Sequence, residues 1–295
     1  MDDNLFQTFQ LEGSSLRGRI LRMGTSIHDI LDRHGYPDGV SVLTGQAAVL
    51  ALLLSSMLKY DGIFTLQTSG DGPVSMLVSD ITRRGVVRAC ATYDPTRLRD
   101  GDQDLTSLMG TGHLAFTVDQ GEDMERYQGI VSLTGGSLQD SVQHYFTQSE
   151  QIATGIRIAV GRDADGQWRA GGIMLQRLPE EGGINNPGEG EEDDWRRTMI
   201  LLQSCKDEEL LDANLTQNDL LFRLFHEEGV RVYEPTPVEE GCRCSQERAE
   251  RIIATMSDED RYDMTVDDRI TVTCEFCSRE YIFDETDTEG RIQAS

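Results

Sequence analysis

Lysine is almost missing from this sequence: Lys59 and Lys206 are the only two in 295 residues. Neither follows a glycine or precedes a serine or threonine, so the Gly-Lys-Ser/Thr phosphate loop of ordinary ATPases is lacking. Basic residues number 27 against 52 acidic, and the resulting formal charge of -25 repels phosphate backbones, which argues against nucleic acid as a partner. Long apolar runs are scarce too. The longest, residues 47–54 continued through Ser55 and Ser56 to Leu58, falls short of the roughly 20 residues a helix needs to cross a bilayer. Asp2, Asp3 and Glu12 stand where a secretory signal would carry a basic region. The expectation is a cytoplasmic protein with no membrane partner. Six cysteines are too few for a secreted disulfide scaffold of this length; in a reducing compartment they persist as thiols or metal ligands.

What is present is unevenly spread. Up to Pro179 there are 15 basic and 21 acidic residues, net -6; beyond it there are 12 and 31, net -19. Residues 180–194 (EEGGINNPGEGEEDD) hold seven acids, four glycines and one proline without a base, a composition that builds no core and reads as a linker entering a helix near Asp193. Before it, runs at 63–68, 74–79 and 86–92 read as a three-stranded meander. Those at 113–118 with 127–133, and at 155–161 with 168–178, read as two hairpins. Helices are expected at about 45–59, apolar nearly all round, and at about 137–148, with Leu138, Val142, Tyr145 and Phe146 on one stripe. After the linker, 194–205 and 216–226 read as amphipathic helices, the second capped by Thr216. The expected fold class is α+β: a β-rich core domain at 1–179, an acidic then helical linker at 180–238, and a small module at 239–295.

That module holds four of the six cysteines: Cys242-Arg243-Cys244, then 29 intervening residues, then Cys274-Glu275-Phe276-Cys277. Two close thiol pairs on a long spacer can converge on one metal as a closed tetrahedral zinc site. A single residue between the first two sulfurs is a tighter spacing than usual, and in an extended segment it points both sulfurs the same way. Once the metal leaves they are neighbours able to oxidise. From Gly241 to Arg291 there are 14 acidic and seven basic residues and few large apolar groups, so the module needs a staple. Structural zinc supplies on the order of 10–16 kcal/mol in small peptides. Zinc also keeps the sulfurs as thiolates, with Arg243, Arg248 and Arg279 near in sequence to favour that charge. Oxidation would then turn a redox event into loss of order, although most four-cysteine zinc sites are inert staples and spacing alone favours that reading.

The stretches Phe225-His226-Glu227-Glu228, Val232-Tyr233-Glu234-Pro235, Gly241-Cys242-Arg243-Cys244-Ser245 and Val272-Thr273-Cys274-Glu275-Phe276-Cys277 together resemble the redox-regulated 33 kDa heat-shock chaperone family. The likeness extends to Gly70-Asp71-Gly72-Pro73, Gln128-Gly129-Ile130-Val131, residues 145–151 (YFTQSEQ) and residues 170–176 (AGGIMLQ), in order over nearly the whole chain. The resemblance implies an ATP-independent holdase, not an enzyme, that is dormant when reduced and zinc-bound. It implies one zinc on Cys242, Cys244, Cys274 and Cys277. Under oxidative stress it implies disulfides Cys242–Cys244 and Cys274–Cys277, zinc release, unfolding of module and linker, binding of unfolding client proteins, and a homodimer when active. The acidic, glycine-bearing linker departs from the family pattern.

Other features have plainer readings. Cys90 and Cys205 read as small buried apolar groups, and His226 as a helix-end residue rather than a fifth ligand. Gly70-Asp71-Gly72-Pro73 reads as a tight turn, and Asp163-Ala164-Asp165-Gly166 as a hairpin turn rather than a calcium loop. Two functions compete with the holdase. One is a thiol-disulfide oxidoreductase working through Cys274 and Cys277, without a thioredoxin-like frame around them; the other is an adaptor with a permanent zinc staple.

Overall fold

Two strands, β1 (Leu5–Leu11) and β2 (Leu16–Met23), open the chain, and two helices follow, α1 (Thr25–His34) and α2 (Asp38–Ser55). A computed structural model describes residues 3–58, 60–99, 101–119, 127–177 and 189–284. The meander is β3 (Ile63–Gly70), β4 (Val74–Thr82) and β5 (Val86–Tyr93); a short α3 (Leu105–Met109) leads into the hairpin β6 (Gly112–Asp119) and β7 (Tyr127–Ser132). Next come α4 (Leu138–Tyr145), ending in a π-helical turn, and the hairpin β8 (Thr154–Arg162) and β9 (Trp168–Arg177). Helices α5 (Glu189–Gln203), α6 (Asp207–Leu211) and α7 (Gln217–Phe225) precede three short strands, β10 (Val230–Val232), β11 (Thr236–Pro237) and β12 (Glu239–Glu240). Residues 180–188 of the acidic segment lie outside the described residues, and α5 begins at Glu189, four residues before the expected entry at Asp193. The chain divides into two units, Met1–Glu240 and Gly241–Ser295.

The first unit has two six-stranded sheets, one ordered β10-β1-β2-β9-β8 with β11 also on β1, the other β12-β5-β4-β3-β6-β7. Helix α2 packs against strands of both. It is long and apolar enough to cross a membrane by length and composition, but 14 of its 18 residues are buried inside this unit, which makes it the core helix. It starts at Asp38 rather than near Gly45 because Ser41 and Thr44, polar by type, are buried with their hydroxyls bonded to preceding carbonyls. Thr44 Oγ1 donates to the Val40 carbonyl at 2.7 Å, and Ser41 Oγ to that of Tyr36 at 3.2 Å.

The turns take the plain forms. The Asp163 carboxylate accepts the amides of Asp165 and Gln167 at 3.0 and 2.9 Å, so it is occupied by its own loop. In the Gly70–Pro73 turn, Gly72 donates to the Met109 carbonyl at 2.9 Å, and a Cβ at Gly72 would lie 2.5 Å from the Leu108 oxygen. Only glycine allows that approach.

A second apolar layer forms where α5, α6 and α7 lie on the β1-β2-β9-β8 sheet. Phe9, Ile20, Ile173 and Leu175 of the sheet meet Leu202, Leu220, Leu221, Leu224 and Phe225, with the Phe9 and Phe225 rings stacked at 5.9 Å. Thr216 caps α7, its hydroxyl accepting the Asp219 amide at 3.1 Å. Three arginines from adjacent strands hold the chain around α6 by its carbonyls. Arg22, 2% exposed, donates to Asp212 at 2.6 Å and also to Glu209 and Leu215. Arg169 donates to Leu211 at 2.6 Å and Arg157 to Cys205 at 3.1 Å.

The second unit is small. Helices α8 (Gln246–Ala254) and α9 (Asp258–Met264) precede a three-stranded antiparallel sheet of β13 (Thr265–Val266), β14 (Arg269–Thr273) and β15 (Glu280–Asp284). Its buried core is Ala249, Ile253, Ile270 and Phe283, with Val272 and Tyr281 packed against it. Capping carries much of its local order: Ser245 accepts the Arg248 amide at 3.3 Å and Ser257 the Asp260 amide at 3.1 Å. Asp258, Glu259 and Asp260 fill the first turn of α9, where the helix dipole favours acids.

Candidate metal centre

Cys242 and Cys244 lie on the irregular segment before α8, and Cys274 and Cys277 in the turn between β14 and β15. That turn is tied by its own backbone. The amides of Cys277 and Ser278 both donate to the Cys274 carbonyl, at 3.3 and 2.8 Å, and the Cys274 amide donates to the Arg279 carbonyl at 2.9 Å. Ser278 takes a left-handed φ of 54° to reverse the chain into β15. On the other side, Arg248 donates to the Arg243 carbonyl at 2.6 Å, holding the residue between the first two cysteines.

All four sulfurs lie within 4.8 Å of one another. Cys242 and Cys274 are 3.6 Å apart, Cys244 and Cys277 3.4 Å. Sulfurs around a tetrahedral zinc stand roughly 3.8 Å apart, given zinc–sulfur bonds of about 2.3 Å. The donor set, all thiolate, and its spacing fit that ion. The electrostatics ask for a cation as well. Burial works against the Cys242 thiolate, but the Cys244 amide and hydrogen bonds from the other three cysteines outweigh it and bring its pKa down to about 7. Burial and hydrogen bonds to the same neighbours push the Cys277 thiol up to about 12, and burial leads the upward shift at Cys274. Cys274 and Cys277 thus resist ionising beside Cys242, an obstacle that a divalent ion removes.

The other cysteines lie elsewhere. Cys90 is buried in β5; Cys205 is buried after α5, where burial and then Glu209 push its thiol up to about 11. Both are buried, without the exposed surroundings of a reactive thiol. The His226 ring meets the Phe222 carbonyl of its own helix at 3.0 Å through Nδ1. Two groups near functional elements escape a sequence reading. Tyr281 counts there only as an apolar residue, yet its hydroxyl donates to Cys244 Sγ at 3.1 Å; the one available signal is a polar-tipped aromatic four residues after Cys277. The carbonyl partners of Arg22, Arg157 and Arg169 are marked by no local pattern in the sequence.

Fold and centre together define an α+β protein with a four-thiol, metal-competent site in a separate small unit. A family model described as Hsp33 protein matches residues 4–284. The 33 kDa chaperonin of Caulobacter vibrioides is 38% identical over 292 residues, covering 96% of this chain and 95% of that one. That of Vibrio parahaemolyticus is 36% identical over 297 residues, covering 100% and 98%. The crystal structure of the 33 kDa chaperonin from Thermotoga maritima superposes with a TM-score of 0.83 at 23% identity, covering 98% of each chain, which shows a shared fold. The chain belongs to the Hsp33 family, a family of chaperones rather than of enzymes.

Proposed function

We propose that this protein is a redox-regulated, ATP-independent holdase that captures unfolding proteins in the cytoplasm under oxidative stress. In the reduced form Cys242, Cys244, Cys274 and Cys277 would hold one zinc. Zinc, when bound, keeps the four sulfurs as thiolates and staples the small unit. Peroxide then takes two electrons from each cysteine pair. Each pair forms one S–S bond, one O–O bond breaks, and two hydroxide ions leave, so two peroxides convert four thiolates into the disulfides Cys242–Cys244 and Cys274–Cys277. Disulfide formation removes the donors and frees the metal.

Loss of the staple unfolds 239–295, and the linker at 180–238 lifts from the core at 1–179. Apolar surface such as that under α5 to α7 becomes available to clients, and two active chains pair. The observation that carries this reading is a cluster of four thiols in a unit whose buried core, among the described residues, is Ala249, Ile253, Ile270 and Phe283. A negative surface at a net -25 lets apolar faces open with less self-aggregation.

The test is to measure zinc content and light scattering of an aggregating client on the same sample, reduced and after peroxide with mild warming. One zinc per chain should be released as the client becomes protected. Zinc release with the client still aggregating at the untreated rate rejects the holdase. Zinc that resists peroxide leaves a permanent staple.

A further inference from the structure

Tyr281 reaches both the core of the small unit and the cysteine cluster. It lies on β15 opposite Val272 of β14, on the same face as Phe283, and its ring packs against the buried core. Its hydroxyl extends past that core to Cys244 Sγ at 3.1 Å, a contact spanning 37 residues of sequence. The turn at Cys274–Ser278 fixes where β15 begins and so where this hydroxyl ends up. A sulfur from the first cysteine pair is thus held by a residue whose position is set by the second pair.

We infer that Tyr281 is a positioning residue for the metal centre: its hydroxyl bond to Cys244 strengthens metal retention and slows attack of that sulfur on oxidant. This rests on the reading of the four cysteines as zinc ligands. An O–H donor draws electron density from the sulfur lone pair it meets. Four thiolates around one divalent ion leave a net charge of about -2 on the centre, which such a donor relieves. Oxidation begins when a sulfur lone pair attacks one oxygen of peroxide: an S–O bond forms, the O–O bond breaks, and hydroxide leaves. A lone pair engaged by Tyr281 is a poorer nucleophile for that step. The core-packed ring also orients Cys244, so the metal centre and the apolar core are joined through one side chain.

The experiment compares full-length reduced protein with Tyr281→Phe, which keeps the ring and removes only the hydroxyl. Zinc affinity is read by chelator competition, the sulfur-to-cobalt charge-transfer band after cobalt loading, and metal release under peroxide with a chromophoric chelator. The expected result is about tenfold weaker zinc binding, a shifted cobalt band and faster release. Affinity, band and release rate all equal to wild type overturn the role of Tyr281 while leaving the zinc reading intact. Wild-type protein that takes up no metal overturns both. Should Tyr281→Phe fail to fold, ring-fluorinated tyrosine in the wild-type chain makes a stronger donor and should slow release; unchanged release rejects the inference.

Discussion

The two units of this chain are stabilised by different means. Among the described residues, the first buries clusters of 40 and 14 core residues around α2 and under α5 to α7, whereas the second buries four. Clusters of the first size hold a fold by hydrophobic burial alone; a cluster of four does not offset the entropy of ordering about 45 residues. The second unit is also the more acidic, with 14 acidic and seven basic residues from Gly241 to Arg291. Charge repulsion and a minimal core leave its order to helix caps, a short sheet and four sulfurs. One chain thus combines a region whose stability is spread over many contacts with one whose stability is concentrated at a single chemical point.

The sharpest way to break this contrast is to strip whatever metal the four cysteines hold. A strong chelator under reducing conditions should abolish amide-exchange protection in α8, β14 and β15, a loss on the order of 10 kcal/mol, and leave the protection of β3 to β6 in the core unchanged. Persistent protection of β14 after chelation would place the second unit's stability in its own core. Next in size is Phe225→Ala, which removes a ring stacked on Phe9. It should cost the first unit about 3–5 kcal/mol in denaturant melts and leave metal content as in wild type. A smaller effect, about 2 kcal/mol, is expected of Arg22→Met, because the carbonyls of Glu209, Asp212 and Leu215 lose their buried donor. Faster proteolysis at 205–215 is its signature.

The smallest effect is a pH dependence. The folded chain holds the Cys205 proton more tightly than the unfolded chain, with a pKa of about 11 against an ordinary 9.0. This stabilisation is complete below about pH 9 and is lost as pH rises toward 11. Cys205→Ala should flatten the alkaline fall of the melting temperature over that window; an unchanged slope would assign the fall to other groups.

Much of this molecule is visible in its sequence, and the hidden parts share a cause. The meander, both hairpins and the Thr216 cap follow from alternation and turn chemistry, which are local. The cysteine cluster follows from spacing, because two thiol pairs have few other ways to be used. Strand β2, in contrast, reads Leu-Arg-Gly-Arg-Ile-Leu-Arg-Met, with three arginines in eight residues, and gives no half-buried pattern. It is nevertheless buried at all but Arg17, because Arg22 finds carbonyls from a segment almost 190 residues away. Helix α8 is masked in the same way by its charges, with Ala249 and Ile253 its only buried residues. Burial that depends on distant partners leaves no trace in neighbouring residues.

The three strands just before Gly241 have a mechanical meaning. Val230–Val232 and Thr236–Pro237 pair with β1 of one sheet, and Glu239–Glu240 pair with β5 of the other. These few residues form a seam sewn into both sheets at the point where the second unit begins. If the cysteine unit unfolds as proposed, disorder travelling back from Cys242 would have to unpick that seam before it could loosen α7. Its stitches are two or three residues long, and Thr236 and Pro237 are exposed. On the proposed switch the seam would work as a fuse: strong enough to confine small fluctuations to the cysteine unit, and short enough to part when that unit is lost.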